Sequence, residues 1–509
     1  MWIGGAEWPG TGKEIPVEDP STGEVFATCD GASSKDVDQA VQAAHKAYKS
    51  GVWSKAPRNV RADILDKIAE QFDANLSALI ALEVKQTGRA NREMKAQVPS
   101  LVKWFKYYAS LIRIEERSVL PMAGKLHNWI DRVPIGVVAQ ITPFNHPLLI
   151  ATKKIAPALA AGNSIVVKPS ELTPITTILL GKLFKDAGLP DGVFNVVVGY
   201  GLDTGKALVE HPLVNKIDVT GSTAAGRAIG AIAGQKLNMY TAELGGKAPL
   251  IVFEKADVDL AVNGIAFGSF IASGQTCIAA TRILVQNSIK ADILAKLEAK
   301  CDLIRNRMGS PANNSCLMGP IVSLRQLNNV IDIVDSSLNQ GARLLCGGQR
   351  LSGTSKLDDI DFERGYYYPP TVLIDGPEAK IKDTRIWKEE AFGPVIVVVG
   401  FDDEDEAVNL ANDSEFGLGA ALWTTDLSQA YRIAAQIDAG ITWVNTHHRN
   451  DPSSPWGGMG SSGVGSENGI DAYHTYTRMK STIINFATTE ESLQNDDWFR
   501  EGAGEVRYN

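Results

Sequence analysis

The segment Lys216-Ile-Asp-Val-Thr-Gly-Ser-Thr-Ala-Ala-Gly226 decides the fold. It passes from a short β-branched run through a glycine turn into small residues of helical character. At such a corner the free N–H groups of the helix start face the carboxyl end of the strand, and their partial positive charge favours a phosphate. The turn lacks the Gly-x-Gly-x-x-Gly fingerprint, so taken alone it also suits a corner that needs glycine for steric reasons.

Working outward, the same texture repeats upstream. Gly136-Val-Val-Ala-Gln-Ile141, Ser164-Ile-Val-Val-Lys168 and Phe194-Asn-Val-Val-Val198 have strand length and are separated by helical segments such as Thr176 to Ala187. Apolar runs of this kind predict parallel strands buried on both faces, hence a doubly wound α/β sheet. Ligands of such sheets lie beyond the carboxyl ends of the strands. That rule points to Thr142-Pro-Phe-Asn-His-Pro147, Lys168-Pro-Ser-Glu171 and Thr220 to Gly226.

A second α/β region is predicted from Pro249 to Asn445, with strands at Leu250 to Phe253, Arg282 to Val285, Val395 to Val399 and Gly440 to Asn445. Near the start, strand-like pieces over residues 14–30 precede a helix opening at Ser33-Ser-Lys-Asp36, and amphipathic helices continue over Ala62 to Ala109. Pro452 to Gly463 reads as an irregular loop, and Glu490 to Asn509 as an acidic surface tail.

Composition sets outer limits. A chain of 509 residues, 44% hydrophobic and 21% charged, should divide into two or more domains. Its net charge of -9, with no basic stripe, argues against nucleic acid or an anionic membrane as partner. The five cysteines include no Cys-x-x-Cys pair and there is no histidine cluster at ligand spacing, so no metal is expected and the thiols should be reduced. The first residues, Met-Trp-Ile-Gly-Gly, carry no signal pattern, and no apolar run nears the ~20 residues that span a bilayer. A cytoplasmic location is expected.

One cysteine stands apart. A free cysteine is usually an inert apolar residue, but Cys277 lies in Ile271-Ala-Ser-Gly-Gln-Thr-Cys-Ile-Ala-Ala-Thr-Arg282, a loop of small and polar residues that suits a nucleophile. Upstream is Thr241-Ala-Glu-Leu-Gly-Gly-Lys-Ala-Pro249, and downstream Lys388-Glu-Glu-Ala-Phe-Gly-Pro394. Together with Pro143-Phe-Asn-His-Pro147 and in this order, these segments resemble the aldehyde dehydrogenase superfamily over residues 15 to 485.

The resemblance implies a dinucleotide-binding domain over 1–114 and 135–245, a catalytic α/β domain over 246–446 and an oligomerisation arm from 115–134 and 470–486. It further implies a loop, 447–469, returning to the active-site tunnel, and a C-terminal tail, 487–509. Chemistry supports the same roles. An aldehyde carbon cannot expel hydride until a nucleophile adds to it, and Cys277 as thiolate would form a thiohemiacetal; an ordinary thiol pKa of ~8.5 needs only modest lowering for this. Asn145 and the Cys277 backbone N–H would stabilise the oxyanion. Glu243 would activate water against the resulting thioester. Many relatives carry a further acidic residue near the C-terminal end; alignment places Val464 at that position, so no acidic relay is expected through it.

For NAD, the resemblance assigns Lys168 and Glu171 to the adenosine ribose, Gly221 and Ser222 to the pyrophosphate, Thr220 to the nicotinamide end, and Glu390 with Phe392 to the nicotinamide ribose and ring. Glu171 would repel a 2′-phosphate, which favours NAD over NADP. The aldehyde tunnel is assigned to His146, Lys153, Thr276, Ile278, His447, His448, Arg449, Asn450 and Trp456. These groups favour a polar or aromatic aldehyde, or a semialdehyde whose carboxylate meets Arg449 or Lys153. Assembly as a homodimer or homotetramer is expected. The competing readings are a relative that passes its thioester to coenzyme A, a catalytically silent scaffold, and a cofactor-free cysteine hydrolase.

Overall fold

The computed structural model describes residues 1–495 together with 497, 499 and 501. The first long helix, Ser34–Ser50, starts where a capping box forces it to: the Ser33 side chain accepts from the Asp36 N–H, and the Asp36 carboxylate accepts from the Ser33 N–H. It stops at Gly51, whose left-handed φ of 81° ends the helix. Val37, Ala40, Val41 and Ala44 bury its inner face against the first sheet.

That sheet has eight strands. Its centre is parallel, in the order Phe194–Val196, Ser164–Lys168, Val137–Ile141, Val214–Thr220 and Met239–Glu243. The register pairs Ile141 with Lys168, Val219 with Ile141, and Thr220 with Glu243. The carboxyl ends therefore lie along one edge, so Lys168, Thr220, Glu243 and the turn after Ile141 emerge side by side. Val137, Val138, Ala139, Ile165, Val166 and Val167 are fully buried, as strands covered on both faces must be.

A second sheet of seven strands runs in the order Arg343–Cys346, Thr371–Ile374, Val395–Phe401, Ala280–Gln286, Ala248–Val252, Gly419–Trp423 and Ile441–Val444. All its neighbours are parallel except the first pair. Two core clusters cover its two faces. A small antiparallel sheet joins Thr477–Asn485, Leu126–Pro134 and Ser118–Leu120. Its outer strand leaves Met479, Ile483 and Ile484 exposed.

Two sequence expectations change. Pro452 to Gly463 is not wholly irregular: Met459–Gly460 pairs with Phe416–Gly417, and Gly463–Val464 adds an antiparallel strand beside Ala242 and Glu243. Two-residue strands carry too little periodicity to be read in advance. Within the acidic tail, Thr489–Asn495 forms a helix, and Lys125 Nζ lies 2.7 Å from Glu491. Positions 496, 498, 500 and 502–509 of that tail lie outside the described residues. Among the described residues no helix is long and apolar enough to cross a membrane, and no cluster of His, Cys, Asp or Glu could hold a metal.

Candidate active site

Cys277 sits on the loop between the helical turn Ile271–Gly274 and the strand Ala280–Gln286. The loop is held in an unusual shape. Ala272 and Ser273 have φ of 53° and 54°, conformations that cost non-glycine residues energy and persist only where surroundings enforce them. The enforcing contacts are visible: the Ala272 N–H donates to the Glu93 carboxylate, Ser273 Oγ donates to the Gly319 carbonyl at 2.8 Å, and Gln275 Oε1 accepts from the Val322 N–H. Opposite, a Cβ on Gly246 would collide with the Cys277 carbonyl oxygen, and one on Gly274 with that of Gly393. The glycines of Leu244-Gly-Gly thus let the loop approach its neighbour.

Burial pushes the Cys277 thiol up to about 12, and the carboxylates of Glu243 and Glu390 push in the same direction. This corrects the expectation that only a modest lowering separates Cys277 from a thiolate. The protein alone holds the thiol protonated, so its activation needs a proton acceptor or added positive charge.

Glu243 ends the strand Met239–Glu243 and is 2% exposed. Neither carboxylate oxygen has a hydrogen-bond partner, and burial, reinforced by Glu467, raises its pKa well above 4.5. A buried carboxylate without partners is costly for stability alone. Asn145 lies in the turn before helix Pro147–Ala160; its Nδ2 donates to the Gln275 carbonyl at 2.7 Å, two residues before Cys277. Its Oδ1 is buried and unpartnered.

Glu467 is a buried acidic residue of the cavity wall that the sequence did not disclose. Val464, the position singled out by the resemblance, lies 58% exposed on the short antiparallel strand, whereas Glu467 is buried beside the site. Lys153 and Lys154 each approach its carboxylate to 2.6 Å, and Thr220 Oγ1 donates to it at 3.4 Å. Burial would raise its pKa, but the two ammonium groups more than offset this and hold it at about 2. Lys154 also contacts Asp218, which in turn accepts from the Tyr476 hydroxyl.

Of the residues assigned to a dinucleotide, Lys168, Glu171, Thr220, Gly221 and Ser222 fall at the carboxyl edge of the first sheet, whereas Glu390 and Phe392 lie in the segment leading into strand Val395–Phe401 of the second. Lys168 is buried, 3.7 Å from Glu171. Ser222 caps helix Thr223–Lys236, whose first turn contains no acidic residue, and a Cβ on Gly221 would meet only Val219 Cγ2, at 4.0 Å. Glu390 accepts from the Gly246 N–H at 3.0 Å and lies 2.5 Å from where a Gly245 Cβ would be, next to Thr223 Oγ1. Burial lifts Glu390 to about 7, against the pull of that N–H and of Lys247. Phe392, at a φ of 51°, packs edge-on against Phe144 with ring centroids 5.6 Å apart. A helix start without acidic residues, which suits a phosphate, and the carboxylates of Glu171 and Glu390, which can accept from hydroxyls, are chemically compatible with a dinucleotide.

A cavity of about 760 Å³ opens over Cys277. Its lining includes Glu243, Thr220, His146, Lys153, Thr276, Ile278, His448, Arg449, Asn450, Trp456 and Glu467, but neither His447 nor Asn145. His447 is a packing residue: it stacks on Trp443 at 4.8 Å and its Nδ1 accepts from the His448 N–H. Lys153 is committed to Glu467 and lies 4.3 Å over the Trp456 ring, so its charge is not free to meet a substrate carboxylate. Burial keeps His146, His447 and His448 below 6.5, so all three are neutral at pH 7.

One wall escaped the sequence reading. Arg89, 3% exposed, pairs with Glu93 at 3.1 Å and donates to Gln97 and to His146 Nδ1. Acceptance at Nδ1 leaves the His146 proton on Nε2. Positions 89, 93 and 97 recur every four residues, a helical-face spacing that could have revealed the wall.

Comparisons with known proteins agree with this geometry. The model of the aldehyde dehydrogenase family matches residues 8–482. A Burkholderia cenocepacia protein assigned as an aldehyde dehydrogenase shares 40% identity, with 95% of this chain and 96% of that one covered, at a TM-score of 0.91. PnpE from Pseudomonas sp. WBC-3 shares 38%, covering 96% and 98%, at 0.90, and has also been solved with nicotinamide adenine dinucleotide. Betaine aldehyde dehydrogenase from Staphylococcus aureus, in complex with NAD+, shares 34%, covering 96% and 95%, at 0.91. With a family match across nearly its whole length, Cys277 and Glu243 lining one cavity and Asn145 bonded to the cysteine loop at Gln275, the chain belongs to the aldehyde dehydrogenase family.

Proposed function

We propose that the protein oxidises an aldehyde to its carboxylic acid with NAD, through a covalent adduct on Cys277. The observation that carries this reading is Glu243, a buried carboxylate with no partner that lines the same cavity as the cysteine. Lys168, Glu171, Thr220, Gly221, Ser222, Glu390 and Phe392 would hold NAD, which when bound supplies the hydride acceptor. Glu171 beside Lys168 favours NAD over NADP.

The protein's own residues supply the rest. Glu243 takes the thiol proton, and Cys277 Sγ adds to the carbonyl carbon. The Cys277 N–H and the second N–H of the Asn145 amide receive the oxyanion; one such donor typically contributes ~3 kcal/mol. After oxidation the carbonyl carbon remains as a thioester on Sγ. Glu243, having released the thiol proton to solvent, removes a proton from water as the water oxygen bonds the acyl carbon; the C–S bond then breaks to release the acid, and that proton passes from Glu243 to Sγ. Glu467, kept ionised by Lys153 and Lys154, joins Thr220 to this buried polar chain.

The unpartnered Glu243 favours hydrolysis over transfer to coenzyme A. Polar groups on the cavity wall favour a polar or aromatic aldehyde, or a semialdehyde. Residues 1–114 with 135–245 form the proposed NAD-binding domain and 246–446 the catalytic domain, while 447–469 return to the tunnel. Residues 115–134 with 470–486 form an arm whose exposed Met479, Ile483 and Phe486 suit assembly as a homodimer or homotetramer. Five free cysteines fit the cytoplasm. The test is NADH formation by wild type and Cys277→Ala over a panel of aldehydes: turnover that depends on Cys277 supports the reading, and no NADH from any aldehyde refutes it.

A further inference from the structure

The charges around the cavity divide by depth. Its three acids, Glu93, Glu243 and Glu467, are largely withdrawn from solvent, with Glu93 answered by Arg89 and Glu467 by two lysines. At the solvent end the lining residues are Arg92 and Arg449, both exposed, and the half-buried Lys300. Among the described residues none of these three makes an ion pair. The side chain of Arg449 only donates to Thr446 Oγ1, at 3.3 Å. Arg92 adds to the field on Glu93 without bonding to it. The lining also carries apolar side chains, among them Phe270, Ile271, Ile304 and Leu317, and its Phe267 and Leu303 are 47% and 50% exposed.

Three unanswered cations around one opening are out of keeping with a chain of net charge -9. Charges of one sign at the mouth of a low-dielectric cleft concentrate the opposite sign there. We propose that this rim selects an aldehyde bearing an anionic group, of carboxylate type, at the end remote from its carbonyl, with an apolar or aromatic spacer between. The inference rests on the aldehyde-oxidising reading and specifies its substrate class. Arg92, Lys300 and Arg449 meet the anion, Phe267 and Leu303 flank the spacer, and the aldehyde reaches Cys277. Lys153, held by Glu467, takes no part in recognising the anion.

The test compares kcat/KM for 4-formylbenzoate and 4-methylbenzaldehyde, probes that share a ring and differ in charge. Wild type should prefer 4-formylbenzoate by about tenfold, as three partly exposed charge contacts of modest individual strength would give. The preference should shrink from about 20 mM to about 200 mM salt, as the screening length falls from roughly 20 Å to about 7 Å. It should be lost in the triple variant Arg92→Gln, Lys300→Gln, Arg449→Gln. Equal use of both aldehydes by wild type, or a preference untouched by salt and by the triple variant, overturns the proposal while turnover of 4-methylbenzaldehyde still upholds aldehyde oxidation. Absence of NADH from both probes, and from the wider panel, removes the underlying reading and this inference with it.

Discussion

Replacing Glu243 with glutamine separates its two possible roles. The carboxylate oxygens have no hydrogen-bond partners, so the isosteric amide sacrifices no bond. It does remove an ionisable group that burial keeps well above its ordinary range. A raised carboxyl pKa makes the folded state hold its proton longer than the unfolded chain, so this group's contribution to stability falls as pH rises above 4.5. Glu243→Gln should therefore leave stability at pH 7 unchanged or raise it, by on the order of 1 kcal/mol. Catalysis should move the other way. Without a base for the attacking water, thioester hydrolysis should slow by ~10²–10⁴-fold, equivalent to about 3–5 kcal/mol. Rapid mixing with aldehyde and NAD should give at most one NADH per site followed by slow turnover, and intact-mass measurement should find the acyl group on Cys277. If Glu243 also takes the thiol proton, the burst itself slows, which the same traces resolve. Turnover within about threefold of wild type with no trapped acyl group would refute the assignment.

Other perturbations address the surrounding framework. Glu467→Gln should cost about 3 kcal/mol at pH 7 in urea unfolding, because a carboxyl held at about 2 in place of 4.5 contributes that much. The contribution is fully present above 4.5 and fades as pH falls toward 2, so the gap from wild type should narrow there; a loss below about 1 kcal/mol at pH 7 would contradict the ion-pair reading. Gly246→Ala pushes a methyl into the Cys277 carbonyl oxygen and should lower kcat by ~10²-fold through misplacement of the nucleophile, with kcat near wild type as the contrary result. In the cofactor-free enzyme, alkylation of Cys277 by iodoacetamide should still accelerate above pH 9, since the thiol is pushed up to about 12; a plateau near pH 8 would contradict that.

The two sheets were legible because their strands are buried on both faces, which leaves unbroken runs such as Ile165-Val-Val and Val395-Ile-Val-Val-Val399. Cys277, Glu243 and Asn145 were legible because each lies within a motif anchored by glycine or proline. Glu467 was not: its loop has no periodicity, and the position singled out there, Val464, is exposed while Glu467 is buried. His447 and His448 are adjacent in sequence, yet a left-handed φ of 55° at His448 turns one toward the cavity and the other into the core. A backbone reversal of that kind leaves no mark in residue type. The commitment of Lys153 to Glu467 was hidden because it depends on a partner more than 300 positions away.

The buried chain from Glu467 through Lys154 and Asp218 ends at Tyr476, the residue immediately before the arm strand Thr477–Asn485. Asn163 fastens the backbone there as well, donating to the Tyr476 carbonyl at 2.9 Å. The arm is therefore moored in the same charge network that surrounds the chemistry. Substitutions that reshape the root of the arm cannot drift independently of the interior: any change that shifts Tyr476 alters how Asp218 divides its charge between the hydroxyl and Lys154. The strand beyond Tyr476 and the charges beside Cys277 therefore respond to one another through a single side chain.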